Sequence, residues 1–226
     1  MVVAYAAVGP GREPIGAVVR HGEHPRDAAV RAAAAEGVHV EATSVREVSA
    51  GLEEGRHVLR VLYDVESHPG TPPRAQPPRA EPLRAEPDGA PRVQRAGAYA
   101  VLTHEGRILL TRLAYTKVWT LPGGGIDHGE NPVDAVRREV LEETGLPLAE
   151  ARLLDVDSVH FTGHAPDGTL ENFHAVRVLY TGTVPLDVEP RVVEVGGSSD
   201  AAAWRPIAQL DERERRRLAV ALSHVS

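Results

Sequence analysis

The chain has 226 residues, no cysteine and a formal net charge of −7. The missing cysteines exclude disulfides, thiolate metal sites and a cysteine nucleophile, and the acidic balance disfavours nucleic-acid polymers and anionic membranes as partners. Hydrophobic residues make up 42% of the chain, which suffices for a packed core in one large domain or two small ones.

The N-terminal apolar run is short, follows no basic residue and soon meets Pro10. This pattern is not typical of a signal peptide. No stretch approaches the ~18 apolar residues that a membrane span needs. We therefore predict a cytoplasmic protein without a membrane partner.

Residues 68–92, which are rich in proline, alanine and arginine, divide the chain. They contain PPRAQ, PPRAE and PLRAE in tandem. So many prolines cannot sustain a helix or a central strand, which predicts an extended linker. The sequence thus predicts a first segment at 1–67, a linker at 68–92 and a second segment at 93–226.

The two segments resemble each other. The tripeptide AYA begins at Ala4 and again at Ala98, and HGEHPRDAAVR at 21–31 aligns without a gap on HGENPVDAVRR at 128–138. HVLRVLY at 57–63 likewise matches HAVRVLY at 174–180. Three matches in the same order indicate a tandem duplication in which the first copy is shortened.

The second segment alternates strand and helix patterns. Paired strands are expected around a turn at Glu105–Gly106, and a mixed sheet with flanking helices predicts an α/β or α+β sandwich. The predicted strands are 98–103, 107–112, 153–161 and 173–183, and the predicted helices are 132–143 and 211–223.

The helix at 132–143 has clear start and stop signals. Asn131 is a good N-cap, Pro132 suits the first turn, and Asp134 occupies the third position of a capping box. Gly145 supplies the left-handed stop.

Three carboxylates share one face of this helix. Glu139, Glu142 and Glu143 are spaced i, i+3 and i+4, so they lie side by side and repel one another. A divalent cation would relieve that repulsion, and oxygen ligands without sulfur suit Mg²⁺, with Mn²⁺ as an alternative. The preceding glycines at 123–125 let the backbone approach a metal or a phosphate.

The complete spacing from Gly124 to Leu146 resembles the signature of the Nudix hydrolases, the MutT-type superfamily, written GX5EX7REUXEEXGU with U aliphatic. The resemblance implies a Nudix-type α/β/α sandwich and Mg²⁺-dependent hydrolysis of a nucleoside diphosphate derivative, a small-molecule substrate. It further implies catalytic or metal-binding roles that fall on Gly123, Arg138, Glu139, Glu142 and Glu143, with Gly124, Glu130 and Gly145 in support.

Members of this family often add a carboxylate from a later loop. Glu194 is the first candidate for a further metal ligand, Asp200 the second and Glu171 the third. Two other functions remain open: a non-catalytic nucleotide-sensing or regulatory protein of the same fold, and a diphosphate isomerase, against which the absent cysteine counts.

The first copy lacks the chemistry of the second. In the ungapped alignment Ala32 and Ala35 replace Glu139 and Glu142, and only Glu36 retains a carboxylate. We therefore predict that residues 1–67 form a catalytically inactive Nudix-like module. Since ~67 residues approach the lower limit for independent stability, we expect the module to pack on the catalytic domain or on another protomer, as in a homodimer.

Overall fold

The computed structural model describes residues 1–67, 90–164, 168–194 and 196–225. Residues 68–89, most of the predicted linker, lie outside the described residues. The chain divides into two compact units, Met1–Ala96 with Asp155–Arg177 and Gly97–Leu154 with Val178–Ser226. The predicted segment 93–226 thus contributes residues to both units.

The first unit begins with a four-stranded sheet covered by one helix. Its strand order is β2-β1-β4-β3, with β1 antiparallel to β2 and parallel to β4. The elements are β1 Val2–Ala7, β2 Ile15–Val18, α1 Pro25–Ala35, β3 Val40–Glu53 and β4 Arg56–Ser67.

Helix α1 packs on this sheet through its alanines. Ala28, Ala29 and Ala33 are fully buried, and Ala32 is nearly so. Alanine has the highest helix propensity and a side chain small enough for close contact between a helix and a sheet. The run of alanines thus explains both the helix and its close packing.

From residue 90 onward the described chain forms two further sheets and three α-helices. The strand orders are β10-β11-β5-β9 and β12-β7-β6, and β8 pairs with β7. The elements are β5 Arg92–Ala100, β6 Thr103–His104, β7 Arg107–Leu113, β8 Trp119–Thr120, β9 Gly123–Gly125, α2 Pro132–Thr144, β10 Ala149–His164, β11 Leu170–Thr183, β12 Ser199–Pro206, α3 Glu212–Arg217 and α4 Ala219–Ser223. Mixed sheets with flanking helices confirm the predicted fold class.

The two mixed sheets have the same construction. In each sheet a short strand forms one edge and lies beside the strand that carries AYA. The next strand carries the shared HxxRVLY motif, and a further strand beside it forms the other edge. Even the register agrees, because Tyr5 lies opposite Gly16 and Tyr99 opposite Gly123. A side chain at either glycine would collide with the facing tyrosine. These parallels support the proposed duplication.

The core of the second unit fills the space between its sheets and the C-terminal helices. Leu110, Leu121 and Leu179 meet Leu218 and Ala221 of those helices there. None of the helices within the described ranges combines the length and apolar composition that a membrane span requires.

Two details of the predicted helices differ in the structure. Asn131 is the N-cap of α2, but its side chain makes no capping hydrogen bond. The single helix predicted at 211–223 is wrong, because the backbone of Leu218 leaves the helical region at φ −96° and ψ 8°. Leu218 is only 2% exposed, so the core holds the residue at which the chain turns.

Candidate active site

A tight glycine strand forms one wall of the candidate site. Strand β9 pairs with β5, which places Gly123, Gly124 and Gly125 opposite Tyr99, Ala98 and Gly97. Gly123 has a φ of 143°, which L side chains rarely adopt, and a Cβ there would collide with the carbonyl oxygen of Ala98. A Cβ on Gly124 would approach the carboxyl group of Glu139 to 2.6 Å. The glycines therefore let this strand lie directly against the helix carboxylates.

Helix α2 supplies the three predicted carboxylates. Val136 and Val140 of this helix are fully buried. Glu139 and Glu142 are 14% and 35% exposed at the side chain, whereas Glu143 is buried. The left-handed Gly145 ends the helix at φ 70°, as predicted.

Arg138 links the glycine strand, the loop and the helix carboxylates. Its Nε and Nη2 donate to the two carboxylate oxygens of Glu130 at 3.0 Å, and Nη2 also donates to the carbonyl of Gly125 at 3.0 Å. Its Nη1 donates to Glu139 at 2.8 Å and to Glu142 at 3.2 Å. One guanidinium group therefore holds two of the carboxylates side by side.

Glu143 is held by four protein donors. The backbone N–H of Gly123 donates to it at 2.9 Å, and the hydroxyls of Thr111, Ser198 and Ser199 donate at 3.3, 3.3 and 2.5 Å. These three hydroxyl residues were not among the site residues predicted from the sequence. Thr111, a polar residue inside the apolar run ILLTRL, was the available signal.

Burial and crowding shift the ionisation of the carboxylates. Burial raises the pKa of Glu139 above its ordinary 4.5, Arg138 opposes this rise, and the charges of Glu143 and Glu142 add to it. Burial also raises the pKa of Glu143, against the effect of its hydrogen bonds. The hydrogen bonds that Arg138 donates to Glu130 raise the pKa of Arg138, so the guanidinium remains charged.

The later-loop candidates occupy different environments. The exposed Glu194 donates its backbone N–H to the carbonyl of Glu142 at 3.1 Å, and its carboxylate lies against Gly197. Asp200 accepts from Arg112 Nε at 2.7 Å and pairs with Lys117, and these contacts lower its pKa. Glu171 lies in the other unit, 3.9 Å from Arg95. The backbone of Glu194 therefore contacts α2, the helix that carries the carboxylates.

The donor chemistry fits a hard divalent cation, because the site offers carboxylate and backbone oxygens without sulfur. The missing side chain at Gly124 lets the Glu139 carboxylate lie directly against the backbone of β9. As the side chains are placed, no group of three acidic or histidine residues in the described ranges converges to hold a metal ion. Instead, Arg138 Nη1 supplies the positive charge shared by Glu139 and Glu142.

The N-terminal module repeats the bonds around Arg138. Arg31 donates to both oxygens of Glu23 at 2.8 and 2.9 Å and to the carbonyl of Val18 at 3.0 Å. The backbone N–H of Arg20 donates to Glu23 at 2.8 Å, as that of Asp127 donates to Glu130 at 2.9 Å. Every partner lies 107 positions before its counterpart in the second copy. We call these two sets of bonds the loop–helix bridges.

The first bridge has no carboxylates to organise. Ala32 and Ala35 stand where Glu139 and Glu142 would be, and α1 ends at Ala35, so Glu36 is an exposed C-cap residue. The strands that carry Thr111 and Ser199 also have no counterpart in the first module. The loop–helix bridge can therefore form without the carboxylates that α2 carries at Glu139 and Glu142.

The loop, the helix and the carboxylates of this site all lie in a part of the chain that matches a known family. The sequence model of the NUDIX domain matches residues 91–223, more than half of the chain. The chain belongs to the Nudix family.

Curated Nudix relatives match shorter stretches. A MutT-like protein of Streptomyces ambofaciens is 31% identical over 105 residues, which cover 43% of this chain and 68% of the relative. An RNA pyrophosphohydrolase of Bartonella clarridgeiae is 44% identical over 55 residues, or 20% of this chain. A putative ADP-ribose pyrophosphatase of Bacillus subtilis is 35% identical over 72 residues, or 32% of this chain. The chain spans only 32% and 35% of the last two relatives.

Solved Nudix structures are also similar. A MutT NUDIX hydrolase from Burkholderia pseudomallei is 33% identical with a TM-score of 0.46, and the match covers 59% of this chain and 99% of that one. The NUDIX domain of Shewanella oneidensis NrtR, solved with ADP ribose, is 22% identical with a TM-score of 0.43, over 59% of this chain and 90% of that one.

Proposed function

We propose that this protein hydrolyses a diphosphate linkage in a nucleoside diphosphate derivative and depends on Mg²⁺, with Mn²⁺ as an alternative. The observation that carries the proposal is the pairing of Glu139 and Glu142 by Arg138 beside the glycine strand. This arrangement places two negatively charged carboxylates beside a strand whose residues have no side chains. A diphosphate, itself an anion, would require cations there.

The proposed metal ligands are the carboxylates of Glu139, Glu142 and Glu143, the carbonyl of Gly123, and Glu194 from the later loop. A bound divalent cation would neutralise the diphosphate and make a water molecule more acidic. Arg138 orients Glu139 and Glu142, while Glu130 and Gly125 fix Arg138 in turn. Gly124 and Gly145 allow the close approach of the strand and the end of the helix.

In the proposed reaction, water attacks one phosphorus atom of the diphosphate. A new P–O bond forms, the bridging P–O bond breaks, and the second phosphate leaves with the bond's electron pair. Glu139 is proposed either as a metal ligand or as the acceptor of the water's proton; in the second role, without a metal bound to it, its raised pKa makes it a better base than an exposed glutamate. The structural support for this role is the position of the Glu139 carboxylate, which accepts a hydrogen bond from Arg138.

The domain assignment belongs to this proposal. We assign residues 1–67 to the inactive module, 68–92 to the linker and 93–226 to the catalytic domain. The family match to residues 91–223 supports the assignment of the catalytic domain. The cytoplasmic location and a homodimeric state remain predictions.

The substrate is best sought among small nucleotides. Relatives are named for RNA, ADP-ribose and 8-oxo-dGTP. The net charge of −7 favours a small molecule over an RNA polymer. A panel of nucleoside di- and triphosphates, ADP-ribose, NADH, dinucleoside polyphosphates and 5′-triphosphorylated RNA should therefore show Mg²⁺-dependent product release for a small nucleotide. Turnover that persists in EDTA would contradict the proposed metal site, and a preference for RNA would contradict the substrate class.

One observation favours a non-catalytic nucleotide sensor instead. Glu139, Glu142 and Glu143 all accept hydrogen bonds from donors within the protein, the first two from Arg138. A sensor would bind one member of the panel without releasing product. Binding measured by calorimetry together with product analysis separates the two functions.

The raised pKa values of Glu139 and Glu143 predict how metal affinity depends on pH. Ligand carboxylates must be deprotonated, so Mn²⁺ binding should be lost as the pH falls through values above 4.5. Titration of the protein with Mn²⁺ between pH 4.5 and 8, followed by water-proton relaxation, measures this. Mn²⁺ affinity that does not fall with pH over this range would contradict it, and Glu139→Gln should weaken binding throughout.

A further inference from the structure

Four histidines lie around the start of helix α1 and the outer part of the β10–β11 hairpin. His21 and His24 belong to the N-terminal module, and His160 and His174 to strands β10 and β11. The rings of His21, His160 and His174 lie 5.0 to 6.1 Å apart, centroid to centroid. We call these four residues the histidine cluster; all of them lie within the first compact unit.

His174 is fully buried, and its hydrogen bonds require a neutral ring. Gln94 Nε2 lies 3.3 Å from the carbonyl oxygen of Val19, which can only accept, so this amide nitrogen is a donor. The same nitrogen lies 3.0 Å from His174 Nδ1, which must therefore accept. His174 Nε2 then carries the proton and donates to Ser158 Oγ at 2.7 Å.

Asn172 joins the two chain segments through one oxygen atom. Its Oδ1 accepts from Nε2 of His21 at 2.8 Å and from Nε2 of His160. Asn172 is only 1% exposed, and its own backbone N–H donates to the carbonyl of Pro91. The amide side chain therefore connects the N-terminal module directly to strand β10.

His24 is the N-cap of α1, and its Nδ1 accepts from the backbone N–H of Arg26 at 3.1 Å. Protonation of that nitrogen would remove the acceptor. The corresponding residue before α2 is Asn131, which cannot titrate in this way. The second copy thus supplies a natural non-titrating replacement.

Most acidic residues around the cluster have cationic partners. Glu23 binds Arg31 through both oxygens. Asp157 pairs with Arg177. Asp155 lies 4.0 Å from Arg26, and Glu171 lies 3.9 Å from Arg95. The last acidic neighbour is Asp27, in the first turn of α1.

We propose that the histidine cluster is an acid-sensitive clamp by which the N-terminal module holds residues 155–164 of β10 and 170–177 of β11. Neutral rings are required for the bonds of His24 and His174, and the bonds through Asn172 and Gln94 join sequence segments more than 70 residues apart. This gives the catalytically inactive module a task that needs no carboxylates.

The direction of the effect follows from the folded-state ionisation. Burial lowers the pKa of His24, and burial together with the neighbouring histidines lowers that of His174 from 6.5 to about 4. The released state therefore binds more protons than the clamped state between these values. The clamp is complete above about pH 6.5 and weakens as the pH falls toward 4. For His174 alone, its opening equilibrium should rise roughly 30-fold between pH 7.5 and 5.0.

Hydrogen exchange of the full chain, corrected for intrinsic rates at each pH, tests the clamp. Peptides from α1 and from residues 155–177 should lose protection together at pH 5.0, while peptides from α2 retain theirs. The matched variant His24→Asn, His174→Gln keeps polar side chains at both sites but removes both titrations. Its loss of protection should be less than about threefold over the same pH range.

The single variant His24→Asn provides a second test if the double variant is unstable at pH 7.5. It should show a smaller pH effect in α1 than the wild type. Equal loss of protection in wild type and variants, or no change in the wild type down to pH 5.0, would overturn the clamp. Loss in α2 at the same pH would show general acid unfolding and would overturn it as well.

Discussion

Replacement of Glu142 by glutamine should lower kcat/KM for the best substrate by about 10³-fold, or ~4 kcal/mol of transition-state stabilisation. Glutamine has the same shape but no charge, so it cannot serve as an anionic ligand. Glu142 is 35% exposed and accepts one hydrogen bond from Arg138, so the folded structure should tolerate the change. Steady-state kinetics over a range of Mg²⁺ concentrations, with unfolding curves for both proteins, measures the effect.

Glu36→Gln is the matched control for this experiment. Of the three helix carboxylates, the first copy retains only the counterpart of Glu143, which is Glu36, and Glu36 is exposed at the end of α1. Its replacement should leave kcat/KM within about twofold. If Glu142→Gln retained more than a tenth of the activity, Glu142 could not have the proposed role. If Glu36→Gln were as inactive as Glu142→Gln, the first module would not be catalytically inactive.

The two loop–helix bridges allow a second comparison, between Arg138→Ala and Arg31→Ala. Each change removes a two-point ion pair and the hydrogen bond to a strand carbonyl, and should reduce stability by about 2 kcal/mol. Only Arg138 also contacts Glu139 and Glu142. Arg138→Ala should therefore reduce kcat/KM by about 10²-fold or more, whereas Arg31→Ala should leave it unchanged.

The pH profile separates positioning by Arg138 from a purely structural effect. Arg138 opposes the rise in the pKa of Glu139, so its removal raises that pKa further. The acidic limb of the kcat/KM profile should then move to higher pH. An Arg138→Ala enzyme with lower activity but an unmoved acidic limb would contradict the positioning role. Loss of activity in Arg31→Ala at a temperature where it is folded would show that the first bridge also affects catalysis.

Local signals in the sequence were sufficient for the central part of the candidate site. Helix α2 begins after Asn131 and ends at Gly145 as predicted, because proline at its start and a left-handed glycine at its end act over a few residues. The spacing of Glu139 and Glu142 fixes their common face for the same reason. The prediction of metal binding by these residues remains a prediction.

Contacts between distant strands were beyond the reach of such signals. The hydroxyls of Thr111 and Ser199 meet Glu143 only because β7 pairs with β12 in a register that local sequence does not encode. The histidine cluster is similar, because Asn172 accepts from both His21 and His160, which lie far apart in the sequence. Such arrangements depend on tertiary pairing rather than on periodicity.

The identical strand order of the two mixed sheets has a consequence for how the chain folds. During refolding, β1 can be mistaken for β5, and β4 for β11, because each pair carries nearly the same motif. Tandem homologous modules are prone to this kind of strand exchange, within one chain or between chains. Refolding of the full chain from denaturant should therefore yield a slow population, and the part of it that arises from exchange between chains should grow with protein concentration.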